Sequence, residues 1–135
     1  MNQRLIELER LIRNIVKIGT IDSVTGTAAR VRSGELLMAP MPWLCPRAGE
    51  VKFWSAPSQG EQCLVLSPEG NTANGRILTG IFSDAISAPV GGLNDVIIEV
   101  PENGRFIVRC GGSSFLMTAE SIKQTATRID FNEDK

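Results

Sequence analysis

The chain opens with an apolar pattern that has the period of an α-helix. Apolar residues recur at spacings of three, four and three, at Leu5, Leu8, Ile12 and Ile15. This spacing places them on one side of a helix, which we expect to end near Lys17 because Gly19 follows. The stripe covers only about two heptads, too few to hold a coiled coil unaided. We therefore predict that these four residues dock the helix, either on the body of the same chain, the favoured interpretation, or on copies of itself.

From Lys17 onward the period changes to two, which is the period of β-strands. The predicted strands cover residues 18–23, 29–33, 36–44, 62–67 and 76–82, and residues 51–55 are predicted as a short strand or a loop. Pro40 and Pro42 interrupt the third of these, which favours an edge or a bulge. Short strands with turn signals at intervals of about ten residues are typical of a small closed barrel of the oligonucleotide/oligosaccharide-binding (OB) type. We therefore predict an all-β fold with an N-terminal helix over 1–17 and an OB-type barrel over 18–90.

Residues 86–94 interrupt the strand pattern, because the proline and glycines among them cannot continue a β-ladder. We place a domain boundary in this segment. The apolar pattern then restarts, and the pair Asn103 and Gly104 predicts a hairpin between segments 96–100 and 106–110.

The last segment, residues 113–135, carries short apolar pieces that a single chain cannot bury. The segment has no helix to cover them and is shorter than domains that fold alone. Several chains wound around one axis could bury these residues in a narrow shared core. The sequence therefore predicts an oligomer, most simply a trimer, with a trimeric unit over residues 95–135 that we call the needle. Its predicted core consists of Phe115, Met117, Ile122, Ala126, Ile129 and Phe131.

Composition and charge narrow the class of protein. The chain has 135 residues, 42% of them hydrophobic, which suits one compact domain, or a domain of roughly 90 residues with an appendage. The net charge of −1 does not indicate a nucleic-acid partner. No apolar run approaches the roughly 20 residues that span a bilayer, and the charged N-terminal segment does not fit a signal peptide. We expect a chain made as a soluble cytoplasmic protein.

The sequence offers no set of residues suited to catalysis. It contains no histidine, which excludes an ordinary Ser-His-Asp triad, and no Cys-x-x-Cys pair that would indicate a metal site. Two carboxylates could act together as in a glycosidase, but the glutamates of the barrel lie in turn contexts typical of solvated faces. We expect no enzymatic activity, no cofactor and no metal. Three cysteines among apolar neighbours are expected to be buried core residues and not disulfides, namely Cys45, Cys63 and Cys110.

An alternative function is a barrel that binds single-stranded nucleic acid. Three aromatic residues could stack on bases, with Arg47 and Lys52 beside them. They are Trp43, Phe53 and Trp54. A stacking groove usually follows a trail of positive charge, whereas segment 35–94 has three basic and five acidic residues. We favour a place for the adjacent aromatic pair in the core or in contacts between barrels.

Several short motifs resemble those of a known family. They are Arg47-Ala48-Gly49, Trp54, Ala56-Pro57-Ser58, Gly60-Glu61-Gln62 and Gly80-Ile81-Phe82-Ser83-Asp84. The pattern is similar to that of the baseplate assembly protein V family, the central spike of contractile bacteriophage tails of the Mu and related types. The resemblance runs from about Arg4 to Pro89 and is most specific over 43–84. From Val96 onward it is a resemblance of architecture.

The resemblance implies both a fold and a role. In that family an OB-type barrel is followed by an intertwined triple-stranded β-helix, and three chains make one needle. It implies a homotrimeric structural protein of the virion, located in the tail baseplate and assembled in the host cytoplasm. Such a protein would dock under the tail tube or hub, contact other baseplate proteins and pierce the host cell envelope in a transient contact. No stable nucleic-acid binding is expected.

One feature departs from the family pattern. Many members hold an iron ion at the needle tip with histidines of three chains in a His-x-His arrangement, and this chain has no histidine. We therefore expect either a needle that works without metal or, the favoured interpretation, a separate tip protein bound across residues 128–135. A tip protein would cover apolar residues otherwise left at an open end. Its expected contacts are Arg128, Asp130 and Asn132.

Overall fold

The computed structural model describes residues 2–132, so the last three residues of the predicted needle lie outside the described part. The chain divides into two compact units, Met1–Ala88 and Pro89–Lys135. The fold is mostly β with one N-terminal helix, as predicted. The helix and strands of the described residues are α1 Asn2–Ile15, β1 Val16–Thr25, β2 Ala28–Ser33, β3 Leu36–Leu37, β4 Gln62–Leu66, β5 Arg76–Ile81, β6 Phe106–Cys110, β7 Ser113–Met117 and β8 Ile122–Thr125.

Helix α1 runs directly into strand β1, and it ends two residues before the predicted position. Two ion pairs lie along its exposed surface, from Arg10 to Glu7 at 2.6 Å and from Arg13 to Glu9 at 3.9 Å. Exposed pairs of this kind contribute only a few tenths of a kcal/mol each. Most of the stability of so short a helix must therefore come from packing of its apolar side. No helix in the described part of the chain is long and apolar enough to cross a membrane.

The helix contacts the barrel at the turn that follows β4. The backbone N–H of Ser67 donates a hydrogen bond of 2.8 Å to the carbonyl oxygen of Ile15. One turn earlier in the helix, the backbone of Leu11 lies so close to Gly70 that a methyl group on the glycine would overlap it. Leu11 is half-buried, whereas the residues on either side of it are exposed. The side of the helix that faces the barrel is therefore the side of Leu11, which is not part of the predicted stripe.

Five antiparallel strands form the barrel sheet, in the order β3-β2-β1-β4-β5. The segment after β3 connects its two edges, because Met41 pairs with Ala29 of β2 and Trp43 pairs with Ile77 of β5. Two backbone hydrogen bonds join this segment to β5, from Leu44 to the carbonyl of Ile77 and from Ile77 to the carbonyl of residue 42, at 2.9 and 3.0 Å. The segment closes the sheet into a barrel, in agreement with the predicted OB type.

The structure shows the course of two irregular segments of the predicted barrel. The strand predicted over 36–44 is regular only at Leu36–Leu37, because the two prolines beyond it lack the N–H that a ladder needs. Over 51–55, predicted as a short strand or a loop, the structure has no regular strand and only the bridge between Ala48 and Lys52. Both segments lie in the long connection between β3 and β4, which does not pair continuously with any one strand.

The interior of the barrel holds the core of the first unit. Among the described residues the buried core consists of Ile21, Ala29, Val31, Met38, Met41, Trp43, Cys63, Val65 and Ile77. Cys63 is buried as predicted, Cys45 is half-buried and Cys110 is exposed. The prediction of a buried cysteine is wrong for Cys110 because that residue ends β6, in a unit without an interior.

The second unit contains one antiparallel sheet of three strands, in the order β6-β7-β8. The hairpin predicted between segments 96–100 and 106–110 is wrong, because residues 96–100 form no strand and β6 pairs with β7. Asn103 does lie in a tight turn, closed by a 2.8 Å hydrogen bond from Gly104 to the carbonyl of residue 101. The strand-joining turn is instead at Gly111, whose left-handed φ of 57° suits a two-residue hairpin loop.

Replacing Gly70 by alanine should loosen the helix from the barrel. Gly70 and Gly26 both have left-handed backbones, with φ of 75° and 60°, so an alanine costs about 1–2 kcal/mol at either position. Only at position 70 does the added methyl also overlap the backbone of Leu11. We expect Gly70→Ala to lower the free energy of unfolding more than Gly26→Ala, and to speed amide hydrogen exchange in residues 2–15. Equal losses of unfolding free energy in the two variants, with unchanged amide exchange in the helix, would contradict this contact.

Candidate functional site

The register of the second sheet places five large apolar side chains on one face, together with Cys110, Ser113 and Gln124. Phe106 lies opposite Met117, which lies opposite Ile122, and Val108 lies opposite Phe115. Successive side chains of a strand point to opposite faces, so these five residues share one side of the sheet. We call this side the needle face. The residues of the opposite side are Ile107, Arg109, Ser114, Leu116, Lys123 and Thr125.

The needle face is only partly covered within the described part of its own unit, where residues 96–104 line a pocket together with Phe106 and Met117. No residue between positions 89 and 132 is buried. Ile122 is 63% exposed and Val108 is 53% exposed, although both are large apolar residues on a regular strand. A sheet of three strands needs a hydrophobic face packed against something to be stable on its own. The second unit therefore lacks a hydrophobic core.

The structure brings together three of the six residues predicted for the needle core. Phe115, Met117 and Ile122 lie on the needle face, and Ala126 follows the end of β8 and is half-buried. The two remaining residues, Ile129 and Phe131, lie beyond the last strand and are exposed. No contact between chains is present to test their role, which stays a prediction.

Sequence reasoning missed two members of this face, Phe106 and Val108. Their alternation within β6 is visible in the sequence. The turn signal at Asn103, however, predicts that this strand pairs with segment 96–100 and not with β7. The register with β7 is what places them beside Met117 and Phe115.

The predicted helix stripe is exposed in the single chain. Its four residues, Leu5, Leu8, Ile12 and Ile15, are 43–65% exposed. The favoured interpretation, in which the stripe packs on the body of the same chain, is therefore not what the structure has. The reason is the orientation of the helix, because Leu11 faces the barrel and the four stripe residues lie outside that contact. Docking of the stripe on another copy stays a prediction.

The outside of the barrel carries a further apolar surface that sequence reasoning missed. Ile18, Leu64 and Leu78 lie side by side across β1, β4 and β5, and Val16 and Leu66 form the next row. Ile18, Val16 and Leu78 are exposed. The available signal was the nearly continuous apolar sequence of β4 and β5, which is typical of strands covered on both faces. We call these five residues the outer barrel face.

The three aromatic residues of the alternative function do not form one stacking surface. Trp43 is buried in the barrel core, whereas Phe53 and Trp54 are more than half exposed. The rings of the two tryptophans lie 5.2 Å apart between centroids, tilted by 53°. Trp54 thus packs against a core residue from outside, and of the three aromatic residues only Phe53 and Trp54 are exposed to a ligand.

No metal centre is formed by the described residues. Residues 2–132 contain no group of three histidine, cysteine or acidic side chains that could hold a metal ion. Since the sequence has no histidine, the chain does not fit an iron site of the His-x-His type. The residues predicted to contact a tip protein lie together near the end of the described chain. Arg128 donates a 2.7 Å hydrogen bond to Asp130, both are exposed, and Asn132 is exposed beyond them.

The titratable groups inside the barrel are not arranged for reactivity. Burial, together with the nearby carboxylate of Glu61, raises the pKa of the Cys63 thiol to about 11. Burial also raises the pKa of Glu61, against the effect of a hydrogen bond from the backbone of Ser58. A thiol with a raised pKa is protonated at neutral pH and is a poor nucleophile. Cys63 is therefore a core residue in its chemistry as well as in its position.

Comparison with known proteins identifies the barrel. Residues 18–82 match the model of a family described as the OB domain of type VI secretion system and phage-baseplate injectors. The barrel is similar to this injector OB domain over those residues, which are slightly under half of the chain. The resemblance inferred from the motifs over 43–84 is confirmed, and the match ends close to the end of β5.

A relative extends the likeness beyond the injector OB domain. Over 119 residues, 87% of the chain, the sequence is 29% identical to the spike protein of Escherichia phage P2. The aligned part is 56% of that protein, so the chain spans little more than half the length of this relative. The two likenesses support a structural role in a phage baseplate.

Alkaline pH should destabilise the barrel through Cys63. The unfolded thiol ionises near its ordinary pKa of 9.0 and the folded thiol at about 11. Between these values the unfolded state loses its proton first, so the free energy of unfolding falls as pH rises, by about 2–3 kcal/mol in full. Denaturant unfolding of the wild type and Cys63→Ala between pH 8 and 11 measures this. The wild type should lose more stability than the variant, and parallel pH profiles would refute the assignment.

Proposed function

We propose that the chain is the homotrimeric central spike of a contractile phage tail baseplate. The observation that carries this proposal is the needle face, an apolar sheet face in a unit where no described residue is buried. Three chains wound around one axis would turn the three faces toward each other and bury them. The resulting needle, over residues 95–135, would be an intertwined triple-stranded β-helix.

The energetics favour such a needle over a single chain. Full burial of a large apolar side chain contributes roughly 1.5–3 kcal/mol, and each needle face offers five. Burial of the exposed parts of these side chains in three faces acts against an association cost of about 4–15 kcal/mol for each of the two chains added. The trimer would also resist mechanical separation, because pulling out one chain requires unthreading all three.

The role of such a trimer is mechanical. The three barrels would form a platform under the tail tube or hub, and the outer barrel face supports contacts with neighbouring baseplate proteins. The needle would concentrate the force of contraction on the host cell envelope. The similarity to a spike protein of phage P2 supports this role. The chain would be part of the virion, assembled in the host cytoplasm, and a separate tip protein would bind at Arg128, Asp130 and Asn132.

The native mass tests the proposal directly. Size exclusion with light scattering should give about three times 14.6 kDa at both low and high salt, because apolar burial does not weaken as salt rises. A monomer would overturn the spike. The alternative would then be an OB barrel that binds single-stranded nucleic acid through Phe53 and Trp54, with binding that weakens steeply as salt rises.

A charge on the needle face should prevent the trimer, while the same charge on the opposite face should not. Ile122→Asp would bury three unpaired carboxylates in the trimer, each costing several kcal/mol. Thr125→Asp adds the same charge to the same strand but on the opposite side of the sheet. We expect light scattering to give a monomer or aggregate for Ile122→Asp and a trimer for Thr125→Asp. A compact trimer of Ile122→Asp would show that this face is not the needle core.

A further inference from the structure

The exposed stripe of helix α1 has the register of a coiled coil. Leu5 and Ile12 fall at position a of two successive heptads, and Leu8 and Ile15 fall at position d. Residues at these positions form the seam between helices in a coiled coil. All four side chains are exposed in the single chain. The helix therefore presents a complete seam without a partner.

Charges beside the seam indicate which partner it fits. Arg4 lies at position g, and Glu9 lies at position e of the following heptad. In parallel, in-register helices, a g residue faces the next e residue of the neighbouring helix, where opposite charges attract. Within one helix, residues five apart do not face each other. Arg4 and Glu9 can therefore pair between copies of this helix, and an antiparallel arrangement would separate them.

We propose that the α1 helices of three copies form a short parallel coiled coil on the axis of the trimer. The stripe of each helix would pack against the stripes of the other two copies. This inference rests on the proposed trimer. Isoleucine at both a and d of the second heptad favours three strands over two. Two heptads alone are marginal in water, but the needle would hold the three helices at a high effective concentration.

The contact between helix and barrel is compatible with this coil. Leu11, which faces the turn at Gly70, occupies position g at the flank of the seam. The second contact uses the carbonyl oxygen of Ile15 and leaves its side chain exposed. Each barrel would therefore hold its helix from the flank and leave positions a and d free to meet the other two helices.

Disulfide trapping tests the coil in the intact chain. In a background with Cys45→Ser and Cys110→Ser, which keeps the buried Cys63, a single cysteine is placed in the helix. Leu8→Cys, at position d, should link two of the three chains on mild oxidation. Ile6→Cys, exposed at position b of the same helix, is the matched control and should stay unlinked.

The outcomes of this experiment separate the coil from the spike. A trimeric mass with strong linking at position 8 and little at position 6 supports the coil. A trimeric mass with equal linking at both positions overturns the coil and leaves the spike intact. A monomeric mass overturns both.

A charge exchange gives a second test that does not depend on cysteine chemistry. Arg4→Glu and Glu9→Arg should each slow the linking at position 8 several-fold, because like charges would then face each other between chains. The double variant should recover most of the wild-type rate, although Glu9 also lies 3.9 Å from Arg13 on its own helix. Losses that simply add in the double variant would contradict the pairing between chains.

Discussion

The second unit cannot bury its own apolar residues, and the organisation of the protein depends on this constraint. A single sheet of three strands has one layer, whereas a stable core needs two layers or a closed barrel. Phe115, Met117 and Ile122 share the open face, and no described residue of the unit is buried. The first unit meets the same requirement within one chain, because the segment through Met41 and Trp43 joins the sheet edges around a core. The two halves of the chain thus differ in what they need from other chains.

The barrel satisfies its interior and still carries apolar surface outside. Ile18, Leu64 and Leu78 cross three strands on the outer face, where a barrel that worked alone in water would carry polar residues. The core therefore explains the stability of the barrel, whereas the outer face is left exposed to solvent in the single chain. Cys63 is buried and its thiol is protonated at neutral pH, so it contributes to packing of the interior and not to reactivity.

The sequence predicted the type of each region well and its partners less well. Periods of 3.6 and 2 located the helix, the barrel and the apolar pieces of the tail, because periodicity depends on which side of an element is apolar. Periodicity carries no information about which chain covers that side. The stripe with Leu5 and Ile12 was therefore assigned to its own barrel, although Leu11 makes that contact. Phe106 was missed for a related reason, since a local turn signal at Asn103 competed with a pairing set by β7.

Symmetry connects the separate exposed surfaces of the chain. The helix stripe and the needle face are both apolar, both regular and both at least partly exposed in one copy. An unrelated partner would have to match two surfaces of different secondary structure, whereas in the proposed trimer copies of the same chain would cover each of them. Association through one surface would then raise the effective concentration of the other, and contacts too weak to form alone would become favourable. A helix of two heptads, marginal by itself, is the kind of element that such an arrangement stabilises.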